Sequence, residues 1–182
     1  MSKRVVAVLG VAVALVAALP GTAPGSTRGA AAGSPVGTAT PSWSAVLADS
    51  AGAVQTGRPL SVNWTLLGDQ RPRFGSVRNA GTAALTGQTY TAAVSGLLPS
   101  PVRVDACVGG TWNTTANTCS GTVAQLVTST AGTASAATAI PVDGRLDLRI
   151  SLTATLSGTT TASVGVSVTN GAHTRAATTT NS

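Results

Sequence analysis

Arg145-Leu146-Asp147-Leu148-Arg149-Ile150-Ser151-Leu152-Thr153-Ala154-Thr155-Leu156 is the stretch that decides the fold class. Every second side chain from Leu146 to Leu156 is apolar, and those between are charged or hydroxylated. Extended backbone points alternate side chains to opposite faces, so this period of two reads as a half-buried strand. A helix would place its apolar residues three and four apart. The same alternation recurs on either side. Leu60, Val62, Trp64 and Leu66 alternate with Ser61, Asn63 and Thr65, between Gly57-Arg58-Pro59 and Gly68-Asp69. Tyr90, Ala92 and Val94 share a face within 84–95, and Val102, Val104 and Ala106 within 102–107. Val164, Val166 and Val168 share one within 163–169.

Further strands are expected at 42–48, 74–79 and 122–128, and near His173 to Thr179. Phe74 and Val77 fall on opposite faces in strict alternation, so Gly75 is read as a bulge. Ser157 to Thr160 and Asn170-Gly171 are read as hairpin turns, and 129–139 as an edge segment or loop. The result is an all-β chain of about eight antiparallel strands, each with one apolar and one Thr/Ser-rich face. Two stacked sheets bury such faces, which predicts an immunoglobulin-like β-sandwich; a closed barrel is the alternative.

At the N-terminus, Lys3 and Arg4 precede an apolar run from Val5 to Leu19, ended by Pro20-Gly21. A basic start and an apolar run of about fifteen residues match a cleaved secretory signal, because a spanning helix needs ~20. Ala30 and Ala32 ahead of Gly33 supply the small residues a signal peptidase requires. The expected organisation is a signal peptide at 1–32, a flexible leader at 33–42 and a single β-sandwich domain at 43–182. The leader is Gly, Ser, Thr, Pro and Ala, with too little apolar area to order itself. The protein is expected to be secreted and extracellular, with no stable membrane anchor after cleavage.

Charged residues make up 9% of the chain, Glu is absent, and the single lysine belongs to the signal. Eight arginines against five aspartates leave the mature chain at about +3. The bias toward Ala, Gly, Thr, Val and Arg points to a GC-rich bacterial source. Arg71, Arg73 and Arg78 cluster and offer an anion-binding patch, but without the aromatic interleaving of single-strand binders they read rather as a solvated face, and no nucleic-acid partner is expected.

Cys107 and Cys119 are the only cysteines, which in an exported chain reads as one disulfide. Two cysteines and His173, the sole histidine, make a poor metal set, so no metal or other cofactor is expected. Catalysis would have to draw its base from His173, beside a turn, and no glycosidase pair, phosphate loop or zinc motif stands out. The chain is read as no enzyme. The remaining candidate is the loop from Cys107 to Cys119. It is polar, clamped at both ends, and carries Trp112, Asn113 and Asn117 as prospective ligand-binding residues. Pinned ends lower the entropy lost when a partner orders the loop. Trp112 either stacks on a sugar ring or covers the end of the sandwich.

The segment Phe74-Gly75-Ser76-Val77-Arg78-Asn79-Ala80-Gly81-Thr82, with Leu85 and Tyr90-Thr91 after it, resembles a pattern of bacterial secreted immunoglobulin-like domains. There a strand ends in Asn-x-Gly-Thr and the next strand restores the core; the TasA/camelysin group of exported matrix proteins has similar turns. This implies an extracellular structural or binding role. Secreted chromophore-carrying apoproteins of the neocarzinostatin type are similar in composition, but usually hold two disulfides. The expected function is a non-catalytic cell-surface, matrix or adhesion component with an extracellular protein or polysaccharide as partner. The alternative is a carbohydrate- or small-ligand-binding module using the clamped loop.

Overall fold

The computed structural model describes residues 41–65 and 68–168. The signal peptide, the leader up to residue 40, Leu66, the Asn170-Gly171 turn and the strand near His173 lie outside the described residues. The strands are β1 (Ala45–Asp49), β2 (Val54–Gln55), β3 (Leu60–Trp64), β4 (Arg73–Asn79), β5 (Gln88–Ser95) and β6 (Val102–Val108). They continue with β7 (Trp112–Asn113), β8 (Thr118–Cys119), β9 (Thr122–Thr128), β10 (Thr133–Ala136), β11 (Arg145–Leu152) and β12 (Thr160–Ser167). No helix occurs among the described residues. Every strand pair is antiparallel. One sheet has six strands in the order β2-β1-β4-β11-β6-β9, another has four in the order β10-β5-β12-β3, and β7-β8 form a small hairpin.

The alternation seen in the sequence builds the core. Leu146 and Leu148 on β11 lie beside Val77 and Gly75 on β4, and Leu148 and Ile150 beside Ala106 and Val104 on β6. Leu60, Trp64, Tyr90, Ala92, Ala162 and Val164 of the four-stranded sheet join them in one hydrophobic cluster. Burying each Leu- or Val-sized side chain in such a cluster stabilises the fold by about 1.5–3 kcal/mol. Residues 129–139 do contain an edge strand, β10, which among the described residues pairs only with β5.

The strand order corrects the immunoglobulin-like expectation. There the strands run in the order A-B-E-D in one sheet and C-F-G in the other; here β1 pairs with both β2 and β4, and β3 lies in the other sheet. Pairing is nested instead: β3 with β12, β4 with β11, β5 with β10, β6 with β9. One long antiparallel ribbon is rolled so that successive pairs alternate between sheets, the winding of a jelly roll. Alternation says which face of a strand is buried, not which strand lies beside it.

Three local expectations change with this winding. Residues 157–160 are no hairpin, because β11 and β12 belong to different sheets. The chain leaves β11 at Leu152, the Thr153 N–H donates to the Pro101 carbonyl at 2.9 Å, and Leu156 is buried on the crossing. Gly75 is no bulge either, since β4 keeps an unbroken register with both neighbours. A Cβ there would collide with the Leu60 side chain and lie 2.8 Å from the Ala48 carbonyl oxygen, so glycine makes room for the facing sheet. The six-stranded sheet does shift register between Val104 and Asp105, opposite Gln125 and Val127.

The Asn-x-Gly turn after β4 has a definite job. Asn79 is 4% exposed; its Oδ1 accepts the Gly81 N–H, and its Nδ2 donates to the carbonyls of Ala83 and Pro141 at 2.9 and 3.1 Å. This ties the end of β4 to the approach to β11. Ser42, the last residue of the expected leader, is held by Thr82, whose Oγ1 accepts the Ser42 N–H at 2.9 Å.

Candidate functional site

The outer face of the six-stranded sheet carries Phe74, Ser76 and Arg78 from β4, Asp147 and Arg149 from β11, and Arg103, Asp105 and Cys107 from β6. Alternation alone assigns all of these to solvent. The disulfide changes that. Cys107 points outward and is bonded to Cys119, with the Cα atoms 5.6 Å apart, so the intervening loop folds back over the sheet. Asp105 is only 1% exposed as a result.

Beneath the loop lies a compact ionic cluster. Arg149 donates from Nη2 to Asp105 Oδ2 at 2.8 Å and from Nη1 to Asn117 Oδ1 at 3.2 Å. Arg103 Nε lies 3.1 Å from the same Asp105 carboxylate. The Arg149 guanidinium also sits 4.4 Å from the centroid of the Trp112 ring, a cation–π contact. Trp112 is 8% exposed, donates from Nε1 to the Asp147 carbonyl at 3.2 Å, and lies 6.2 Å from the Phe74 ring centroid. The β7–β8 hairpin is therefore docked on the sheet by a covalent bond, an aromatic anchor and an arginine clamp.

The sequence-predicted residues divide accordingly. Trp112 and Asn117 meet at Arg149. Asn113 is turned to its own loop, where Oδ1 accepts the N–H groups of Thr115 and Ala116 at 3.0 and 2.8 Å. Asn117 has a φ of 54°, a left-handed conformation that Asn adopts more readily than most side chains. Trp64 is fully buried, as its alternation requires, with Nε1 donating to the Arg71 carbonyl at 2.9 Å.

A groove of about 170 Å³ opens between the docked hairpin and the turn after β1. Its floor is Ser76, Arg78, Arg145 and Asp147; Trp112 and Thr114 form one wall, and Asp49 and Ser50 the other. Past Phe74 it adjoins a wider cleft lined by Arg71, Arg73, Thr115 and Asn117, and Ser50, Phe74 and Thr114 line both. The groove's carboxylates are engaged: Asp49 Oδ1 accepts the N–H groups of Ala51 and Ala53, and Asp147 pairs with Arg145 Nε at 3.0 Å. Beside the wider cleft, Asp69 holds Arg73 at 2.7 Å and accepts the Arg71 N–H. The Arg73 hydrogen bond, and then that backbone N–H, keep the Asp69 carboxyl below its ordinary range.

Arg145, Asp147, Phe74 and Thr114 are site residues that the sequence did not single out, whereas Arg78 belongs to the arginine cluster that it did. A signal for them was present. Cys107 shares its outward column with Asp105, so a bridge to Cys119 has to fold the loop across β6 and onto β11 and β4. Among the described residues no group of three or more His, Cys, Asp and Glu side chains comes together. His173 lies outside the described residues. No family model, no curated protein and no solved structure matches the chain.

Proposed function

We propose that the chain is a secreted, non-catalytic β-sandwich protein that serves as a cell-surface, matrix or adhesion component and holds an extracellular polysaccharide in the groove beside its disulfide hairpin. The groove itself carries the reading. It combines arginine forks, carboxylate oxygens, hydroxyls and the edges of two aromatic rings, the mixture that suits a ligand rich in hydroxyl groups. The Cys107–Cys119 bond supports a non-reducing compartment, in keeping with the signal read from Lys3 to Leu19. Asp49 and Asp147 are occupied by backbone N–H groups and by Arg145, which favours holding a glycan over cleaving it; cleavage needs one carboxyl free to donate a proton.

Retention of the full chain on immobilised polysaccharides tests the proposal. Wild type is expected to be retained on at least one matrix, and Thr114→Trp, which fills the groove from its exposed rim, is expected to elute early with an unchanged circular-dichroism spectrum. Equal retention of both proteins would move the binding surface elsewhere. Retention on none would end the polysaccharide reading.

A further inference from the structure

Arg78 and Arg145 are direct cross-strand partners in the register of β4 and β11. Both line the floor of the groove. Side chains paired in this way have Cβ atoms about 5 Å apart, and like charges so placed destabilise a sheet. The neighbouring pairs on this face are built differently: Ser76 faces Asp147, and Phe74 faces Arg149. Asp147 answers Arg145 only, through Nε at 3.0 Å and Nη2 at 3.5 Å. Across from Arg78 on its other side stands Val46, which has no charge to offer. Among the described residues the Arg78 side chain has neither a hydrogen bond nor an ion pair, whereas Arg71, Arg73, Arg103, Arg145 and Arg149 each have an aspartate.

From this arrangement, and resting on the polysaccharide reading above, we infer that Arg78 and Arg145 form a two-armed site for an oxyanion carried by an acidic sugar. A carboxylate or sulfate ester between the two guanidinium groups replaces repulsion by charge-assisted hydrogen bonds, and the fork of arginine fits either group in two-point fashion. The sugar ring then lies along Phe74 and Trp112, with Ser50 and Thr114 beside its hydroxyls. Arg145 keeps Asp147 on one edge of its guanidinium while the other edge faces the ligand.

Affinity electrophoresis of the full chain in gels holding polygalacturonate, dextran sulfate or uncharged dextran tests this. Retardation is expected with one or both acidic polymers, the pair telling carboxylate from sulfate. Arg78→Gln and Arg145→Gln are each expected to weaken it by about tenfold or more, the worth of a charged hydrogen bond. Arg58→Gln, at an exposed arginine outside the groove, is expected to change it less than about twofold. Arg78→Gln removes no internal partner, so its fold is retained, and thermal melts verify this. Equal weakening by Arg58→Gln would reveal unspecific charge attraction and overturn the inference. Retardation by uncharged dextran that survives both groove substitutions would overturn it too, while sparing the polysaccharide reading. No retardation in any gel would remove both.

Discussion

Tyr90 concentrates the costs carried by single residues in this fold. Its ring is fully buried at the centre of β5, between Ala134 and Val166, but its hydroxyl finds no protein partner among the described residues. Burial pushes its ionisation above the ordinary value of 10.0. The folded chain therefore keeps a proton that the unfolded chain releases, and stability falls as pH rises past about 10. Tyr90→Phe is expected to flatten that alkaline loss and to raise neutral-pH stability by about 1 kcal/mol, since a lone buried hydroxyl is costly. Urea midpoints measured from pH 7 to pH 11 check both. The burial of Tyr90 was legible from its alternation with Thr89 and Thr91; the state of its hydroxyl was not. Gly75 shows the same limit. The alternation of Phe74 and Val77 makes Gly75 look like a bulge, but the reason for glycine is Leu60 on the opposite sheet, a contact that no local pattern contains.

At the scale of elements, the docked hairpin is the least legible part and the most consequential. The disulfide itself followed from the cysteine count and the expected export, but its placement turns the outward residues of β6 and β11 into a second, polar interior. The Asp105–Arg149 pair, with side chains 2% and 14% exposed, depends on that cover. A buried ion pair that loses its surroundings or one partner becomes a liability. Replacing both cysteines by serine is expected to lower stability by about 3 kcal/mol through the unfolded chain. It is also expected to free Trp112 from Arg149. Calorimetry reads the first effect, and a red shift of tryptophan emission reads the second. Loss of stability with unchanged emission would mean that the clamp residues dock the hairpin unaided.

Across the whole molecule, what the sequence disclosed is the layer structure. A repeated period of two, broken by Gly, Pro and Asn, requires that Leu146, Leu148 and Ile150 be buried against further strands, in stacked sheets or a closed barrel. The winding stayed hidden because every strand of an alternating set has an equally good apolar face, and partners are chosen by packing across the core. β12 has the central role in that choice. It bonds to β5 on one side and to β3 on the other, and β3 has no other strand partner among the described residues. Val164→Pro, which blocks the ladder in this interior strand, is expected to abolish cooperative unfolding in calorimetry.

The nested pairing also fixes an order of events. β3 is among the first strands to be synthesised, yet it waits for β12, roughly a hundred residues of chain later, before its backbone is satisfied. Until then the nascent polypeptide has no completed four-stranded layer and stays threadable. For the export proposed above, that ordering keeps the four-stranded layer open until β12 has followed β3.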